Sequence, residues 1–311
     1  MNDSRHVLVT GANGFLGRHL CNLLESQNFK VTRLVHSSNS CADGVIVLDL
    51  LERKQMLDLF GDLRPDYIVH LAANKSRSSI DIGFGDSIGR NLAISLNVVE
   101  SCLNLKALKK IVFVGSCEEY GPIVSPYNEF MQERPVSPYG ISKLTVTKTI
   151  AALWRSRQLP GLVLRPSIIY GPDQDDDMFI PVLVKTLLMG KEFSMTLGEQ
   201  LRDFIYVTDV VDAIVKSLLF DKEIEFPIFN IASGVSISIC QLATYAANLI
   251  HHEASSLLKI GAVPYRINEL MDYRVDIDLA KEALGWHPKV PIENGLRRLI
   301  ENYGSSNNKF S

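Results

Sequence analysis

The sequence predicts an α/β protein, a doubly wound parallel sheet with a smaller C-terminal α/β lobe. Three observations carry this. An apolar strand, His6 to Thr10, runs straight into Gly11-Ala12-Asn13-Gly14-Phe15-Leu16-Gly17 and an amphipathic stretch ending near Leu24. Short β-branched runs then alternate with helical stretches as far as Arg165, the pattern of parallel sheets with helical crossovers. Finally, 311 residues are enough for a large core and a second lobe. The expected division is 1–165 for the sheet domain, 166–303 mainly for the lobe with some segments returning to the sheet, and 304–311 for a flexible tail.

The first element sets the chemistry. Gly11 allows a tight turn, Gly14 lets backbone approach a pyrophosphate, and Gly17 lets the helix pack close to the strand. Asn13, Phe15 and Leu16 lie between them, where the helix N-terminus offers unpaired N–H groups and a positive dipole end. This predicts a Rossmann-type dinucleotide site; the plainer alternative is a strand–turn–helix in which glycine only makes the turn. The second strand is Lys30 to Val35, and its end carries His36-Ser37-Ser38-Asn39 where NAD sites usually place an acid. With no carboxylate to repel a 2′-phosphate, NADP is the expected cofactor, NAD bound without the acid being the alternative.

Val45 to Leu48 reads as a third strand, followed by a helix to Phe60, and Asp66 to Ala73 as a fourth strand. The small residues at its end, after Leu71, leave room for cofactor. Ser76 to Gly89 reads as a loop. The helix from Asn91 to Leu103 carries an apolar stripe of Leu92, Leu96, Val99 and Leu103. The fifth strand, Lys110 to Val114, leads into Gly115-Ser116-Cys117-Glu118-Glu119-Tyr120-Gly121. Downstream, Tyr139 and Lys143 stand four apart in Ser137-Pro138-Tyr139-Gly140-Ile141-Ser142-Lys143, which places them on one helix face. An ammonium there favours tyrosinate, and Ser116 at a strand end can bond the same substrate oxygen. The trio suits hydride chemistry at a carbinol or carbonyl carbon.

Composition narrows the partners. Apolar residues make up 46% and net charge is -3, so no basic face suggests nucleic acid or anionic lipid. No apolar run approaches a membrane span, and five scattered cysteines fit a reduced, cytoplasmic protein. Metal-ligand spacing is absent.

The GxxGxxG spacing, His70-Leu71-Ala72-Ala73, the SPYG run with Lys143, and Leu164-Arg165-Pro166 through Tyr170-Gly171-Pro172 together resemble the extended branch of the short-chain dehydrogenase/reductase superfamily. That branch contains NAD(P)-dependent nucleotide-sugar epimerases, dehydratases and reductases. The resemblance runs from Val7 to Tyr303. It implies that Asp49 and Leu50 meet the adenine, that Leu71, Ala72 and Ala73 border the cofactor, and that Asn91 supports the active-site geometry. It further implies that Lys143 holds the nicotinamide ribose, that Pro166 lies near the carboxamide, and that the chain forms a homodimer through paired helices. Leu197 to Val207 matches a segment whose arginine, here Arg202, grips an anionic diphosphate; Asp203 orients backbone and Asp209 caps the next helix. Pro264 to Glu269 implies a second phosphate ligand, Arg266, and Leu284 to Pro288 a structural ending with a buried tryptophan. Ile168 stands where many relatives have asparagine.

Glu118 occupies the place of the glutamate that abstracts a proton in sugar 4,6-dehydratases, whereas Cys117 is a poor acid for expelling a C6 hydroxyl, though placed to contact substrate. The expected activity is therefore NADPH-dependent reduction of a nucleotide-linked 4-keto-6-deoxy sugar. An NAD-dependent 4-epimerase is the next reading, then a 4,6-dehydratase. A non-catalytic cofactor-binding regulator comes last, because the Ser-Tyr-Lys set is intact.

Overall fold

A computed structural model describes residues 5–37, 43–73 and 84–307. In chain order its elements are β1 (His6–Thr10), α1 (Phe15–Ser26), β2 (Lys30–Val35), β3 (Val45–Val47), α2 (Arg53–Leu63), β4 (Tyr67–His70), α3 (Phe84–Leu103), β5 (Lys110–Val114) and α4 (Pro138–Arg155). There follow β6 (Gly161–Pro166), β7 (Ile168–Tyr170), α5 (Phe179–Leu188), β8 (Phe193–Met195), β9 (Leu201–Tyr206), α6 (Val207–Leu219) and β10 (Ile228–Ile231). The last are β11 (Ser236–Ser238), α7 (Ile239–Ile250), β12 (Leu258–Ile260), α8 (Asp278–Leu284) and α9 (Ile292–Asn307).

Among the described residues the main sheet has seven strands in the order β10-β6-β5-β4-β1-β2-β3. Every pairing in it is parallel. Such a sheet is covered on both faces, and its strands alternate between two cores. Val7 and Val9 pack with α1 and α6, while Leu8 between them joins Ile68, Ile111 and Met56 on the other side. The strand order reverses between β1 and β4, which opens a crevice at the carboxyl ends of those strands. The smaller lobe adds the sheets β11-β9-β7 and β12-β8. β10 returns to the main sheet, so the lobe is threaded through the domain that supports it.

Several local readings change. Residues from Phe84 to Gly89, read as loop, belong to α3, and the rest of that loop reading (76–83) lies outside the described residues. Within the α3 stripe Val99 is buried, but Leu96 and Leu103 stand 42% and 43% exposed. Asp209 is no N-cap. The cap position is Tyr206, and Asp209 sits inside the first turn, where its Oδ2 accepts Val290 N–H at 3.0 Å. Buried among apolar residues, that carboxylate serves the distant chain instead. Ser238 caps α7 through a box with Gln241. Trp286 is fully buried and donates to the Asp209 carbonyl at 3.1 Å. α9 passes Tyr303 and reaches Asn307, through residues read as tail.

Candidate active site

The glycine turn is built as its spacing requires. Gly11 has φ +70°, and a Cβ there would stand 2.8 Å from Ala72 N. A Cβ on Gly17 would stand 2.7 Å from Ala12 O, so α1 can lie against the turn only with glycine at that place. Gly14 is the N-cap of α1 and offers no side chain to its N–H groups. A cradle without Cβ atoms, facing a helix start left uncapped, fits a pyrophosphate. Asn13 donates from Nδ2 to Ser37 O at 3.3 Å, and Arg18 ties the turn down through Asn13 O (2.5 Å) and Asp173 O (2.9 Å). Phe15 is buried and Leu16 part-buried.

Beside the turn, His36 and Ser37 are exposed. Asp49, arriving from the end of β3, sets its Oδ2 3.6 Å from His36 Nε2 and 3.9 Å from Arg90. Leu50 is buried in the core, whereas Leu71, Ala72 and Ala73 remain part-exposed at the end of β4. Asn91 on α3 and Pro166 at the end of β6 are both buried. His70 is locked between Thr10 Oγ1 at 2.8 Å and Ser95 Oγ at 3.0 Å. Burial pushes its pKa down to about 3, so the ring is a neutral fixture.

Lys143, on α4 with Tyr139, reaches Val114 at the end of β5, two residues before Ser116. Lys143 Nζ donates to Val114 O at 2.7 Å and lies 5.6 Å from the centre of the Tyr139 ring. Ser137 caps α4, accepting Gly140 N–H at 3.0 Å, and donates to Glu118 Oε2 at 3.0 Å. Ser116 Oγ in turn accepts Glu118 N–H at 3.1 Å. Ser116, Glu118 and Tyr139 are all part-exposed. Burial lowers the Lys143 pKa to about 8, with the Glu119 carboxylate pulling the other way.

Cys117 departs from expectation. It is fully buried, its thiol 3.3 Å from Arg165 O, and burial holds its pKa well above the usual range. The turn after β5 points it into the core, so it offers neither an acid nor a substrate contact.

Arg202 is 14% exposed and held at both terminal nitrogens: Nη2 with Glu269 Oε1 at 2.5 Å, Nη1 with Leu270 O at 2.6 Å and Leu201 O at 2.8 Å. Arg266 is exposed on the same loop as Glu269. Asp203 orients backbone, accepting Ser233 N–H at 2.8 Å and Gly234 N–H at 2.9 Å. Ile168 lies part-buried on β7.

Sequence reasoning passed over Glu119 and Arg165. Both are fully buried, and Arg165 donates from Nε to Glu119 Oε2 at 2.8 Å and from Nη2 to Glu133 Oε1 at 2.7 Å. The signal was available: an arginine inside the apolar run Val163-Leu164-Arg165 must find a carboxylate.

With the geometry in place, comparison with known proteins becomes specific. A family model described as NAD dependent epimerase/dehydratase matches residues 7–232. The human dTDP-D-glucose 4,6-dehydratase is 28% identical, over 96% of this chain and 90% of that protein. The UDP-glucose 4-epimerase of Thermotoga maritima, solved with UDP-glucose, is 28% identical with a TM-score of 0.85, covering 97% of this chain and 99% of the other. The Thermus thermophilus UDP-glucose 4-epimerase, solved with NAD, is 25% identical with a TM-score of 0.80 and the same coverage.

These findings overturn two expectations, NADP as the cofactor and 4-keto-sugar reduction as the activity. The named relatives are a dehydratase and epimerases, and the cofactor in the Thermus thermophilus structure is NAD. The physical reason lies beside His36. Although the β2 turn carries no carboxylate of its own, Asp49 from β3 brings one to 3.6 Å from His36 Nε2, a neighbour that reading the β2 turn by itself leaves out. On the strength of the matched span, which covers most of its length, the chain belongs to the NAD dependent epimerase/dehydratase family.

Proposed function

We propose that the chain is an NAD-dependent 4-epimerase acting on a sugar linked to a nucleoside diphosphate. The observation that carries this choice within the family is the burial of Cys117, which leaves the Ser116–Tyr139–Lys143 set without an acid to expel a C6 hydroxyl. Gly11, Asn13, Gly14, Phe15, Leu16 and Gly17 would hold the pyrophosphate of NAD. His36, Ser37, Asp49 and Leu50 would serve its adenosine end; Leu71, Ala72, Ala73, Asn91 and Pro166, with Tyr139 and Lys143, its nicotinamide end. NAD, when bound, supplies the carbon that accepts a hydride from C4 of the sugar and returns it.

The chain's own residues manage the proton and the pose. The phenol oxygen of Tyr139 takes the proton of the C4 hydroxyl as the C–H bond is oxidised and gives it back on reduction. Ser116 Oγ bonds that oxygen and holds it in line. The Lys143 ammonium stabilises tyrosinate from the same helix face. Arg202 and Arg266 grip the diphosphate, with phosphate oxygens displacing Glu269 from the Arg202 guanidinium. The exposed Leu96 and Leu103 on α3 support pairing of two copies through that helix.

A second reading, the 4,6-dehydratase, is favoured by one feature: Glu118 is part-exposed two residues after Ser116, and its carboxylate accepts the Ser137 hydroxyl. Incubation of the purified protein with UDP- and dTDP-hexoses separates the two. C4 epimers with no net change in NAD support the proposal. A 4-keto-6-deoxy product moves the assignment to the dehydratase, and no conversion of any nucleotide sugar contradicts both.

A further inference from the structure

Glu119 is a buried carboxylate that the reaction outlined above does not use. We propose that it is a positioning residue, tying the Ser116 loop to the helix of Tyr139 and Lys143 and facing that helix with its carboxylate; the proposal rests on the assigned roles of those three residues.

The geometry is a three-way junction. Glu119 Oε1 accepts Ser116 N–H at 3.0 Å and the Thr147 hydroxyl at 3.1 Å, while Oε2 accepts Arg165 Nε at 2.8 Å. Thr147 lies one helical turn beyond Lys143, on the same face of α4. One carboxylate therefore joins the loop after β5, the catalytic helix and strand β6. Gly115 is matched to it, since a Cβ there would collide with Glu119 Oε1.

Stability alone does not account for this arrangement. A buried ion pair rarely outperforms well-packed apolar residues of the same volume, because desolvation offsets the attraction. Here the Arg165 guanidinium is shared between Glu119, Glu133 and the face of the Tyr120 ring, 4.8 Å from its centre, so the charge of Glu119 is not needed for that pairing alone. The charged and titratable groups packed around Glu119 are Arg165 on β6, Lys143 on α4, Glu133 and its partner Lys148 beyond the guanidinium, and Cys117 and Tyr120 on its own turn. Of these, Lys143 is the group whose charge the reaction needs, and burial already drives it toward the neutral amine. A negative charge at Glu119 opposes that loss.

The test uses the purified protein with NAD added. Lys143 is titrated by NMR of isotope-labelled lysine in wild type and in Glu119→Gln, which keeps an acceptor for Ser116 and Thr147 but removes the charge. Lys143 should deprotonate about one pH unit lower in the variant, with kcat reduced about two-fold at pH 7 and about ten-fold at pH 9, and KM little changed. Thr147→Val removes the tether without altering charge. It should leave the Lys143 titration in place while amide exchange at Ser116 speeds up about ten-fold. A folded Glu119→Gln whose Lys143 titrates at the wild-type pH overturns the proposal. If Glu119→Gln does not fold, unchanged Ser116 exchange in Thr147→Val overturns it. Wild type inactive on every nucleotide sugar would defeat the functional assignment, and the titration and exchange readouts would still decide the role of Glu119.

Discussion

On the proposed function, the two ends of the cleft deal with phosphate by different means. At the glycine turn the recognising groups are backbone N–H groups at the start of α1, placed by a positive φ at Gly11 and a close helix contact at Gly17. In the smaller lobe the proposed groups are the side chains of Arg202 and Arg266, one held by Glu269 and two carbonyls, the other exposed. The first site is set by backbone, and its N-cap, Gly14, offers no side chain to the start of α1. The second must exchange an internal partner for its ligand. The difference predicts rigid, retained binding at the dinucleotide end and adjustable binding at the substrate end, where different nucleotide sugars have to be told apart.

Substitutions should break that contrast in descending order. Tyr139→Phe should lower turnover by roughly 10²–10⁴-fold while NAD stays bound, because the phenol proton and not the cofactor site is lost; single-turnover kinetics on the purified variant would show it. Gly17→Val forces a side chain onto Ala12 O and should cost ~3 kcal/mol or more together with the retained dinucleotide, read as melting temperature and cofactor content. Arg202→Ala should raise KM about ten-fold or more with a smaller change in kcat. Glu269→Gln, which frees the same guanidinium, should tighten nucleoside-diphosphate binding in calorimetry.

Two pH effects come next. Lys143 has its pKa lowered from 10.5 to about 8, so the ammonium is the form lost as pH rises through that value. Turnover that needs it should fall on the alkaline side of about pH 8, and a profile flat to pH 10 would remove Lys143 from the proton step. Glu129 is 3% exposed, and burial raises its pKa from 4.5 to about 6 while its Oε1 accepts Asn230 N–H at 2.7 Å. The folded state binds that proton more tightly than the unfolded one, so this group's contribution to stability is present below pH 4.5 and lost as pH rises through about 6. Glu129→Gln keeps the acceptor and should gain ~1–2 kcal/mol in denaturant melts at neutral pH. The gain should vanish below pH 4.5.

The same contrast explains what the sequence made legible. β2 and β5 fall at the bounds read from alternation and turn residues, and the glycine cradle could be placed because backbone geometry follows from residue type. Side chains that depend on packing could not be placed. Cys117 sits between Ser116 and Glu118, yet one step along the turn sends it into the core. Asp49 was assigned to adenine alone because its approach to His36 arises from the pairing of β2 with β3 rather than from sequence distance. Asp209 resembles a cap in sequence and instead serves Val290, a partner supplied by chain folded back from far downstream.

The central claim is that a hydride leaves C4 of the sugar and returns to C4. It is tested most directly with a nucleotide hexose carrying deuterium at C4. The account predicts that the deuterium stays at C4 of the epimerised product. Deuterium found at C6 of a dehydrated product, or lost to solvent, would contradict it.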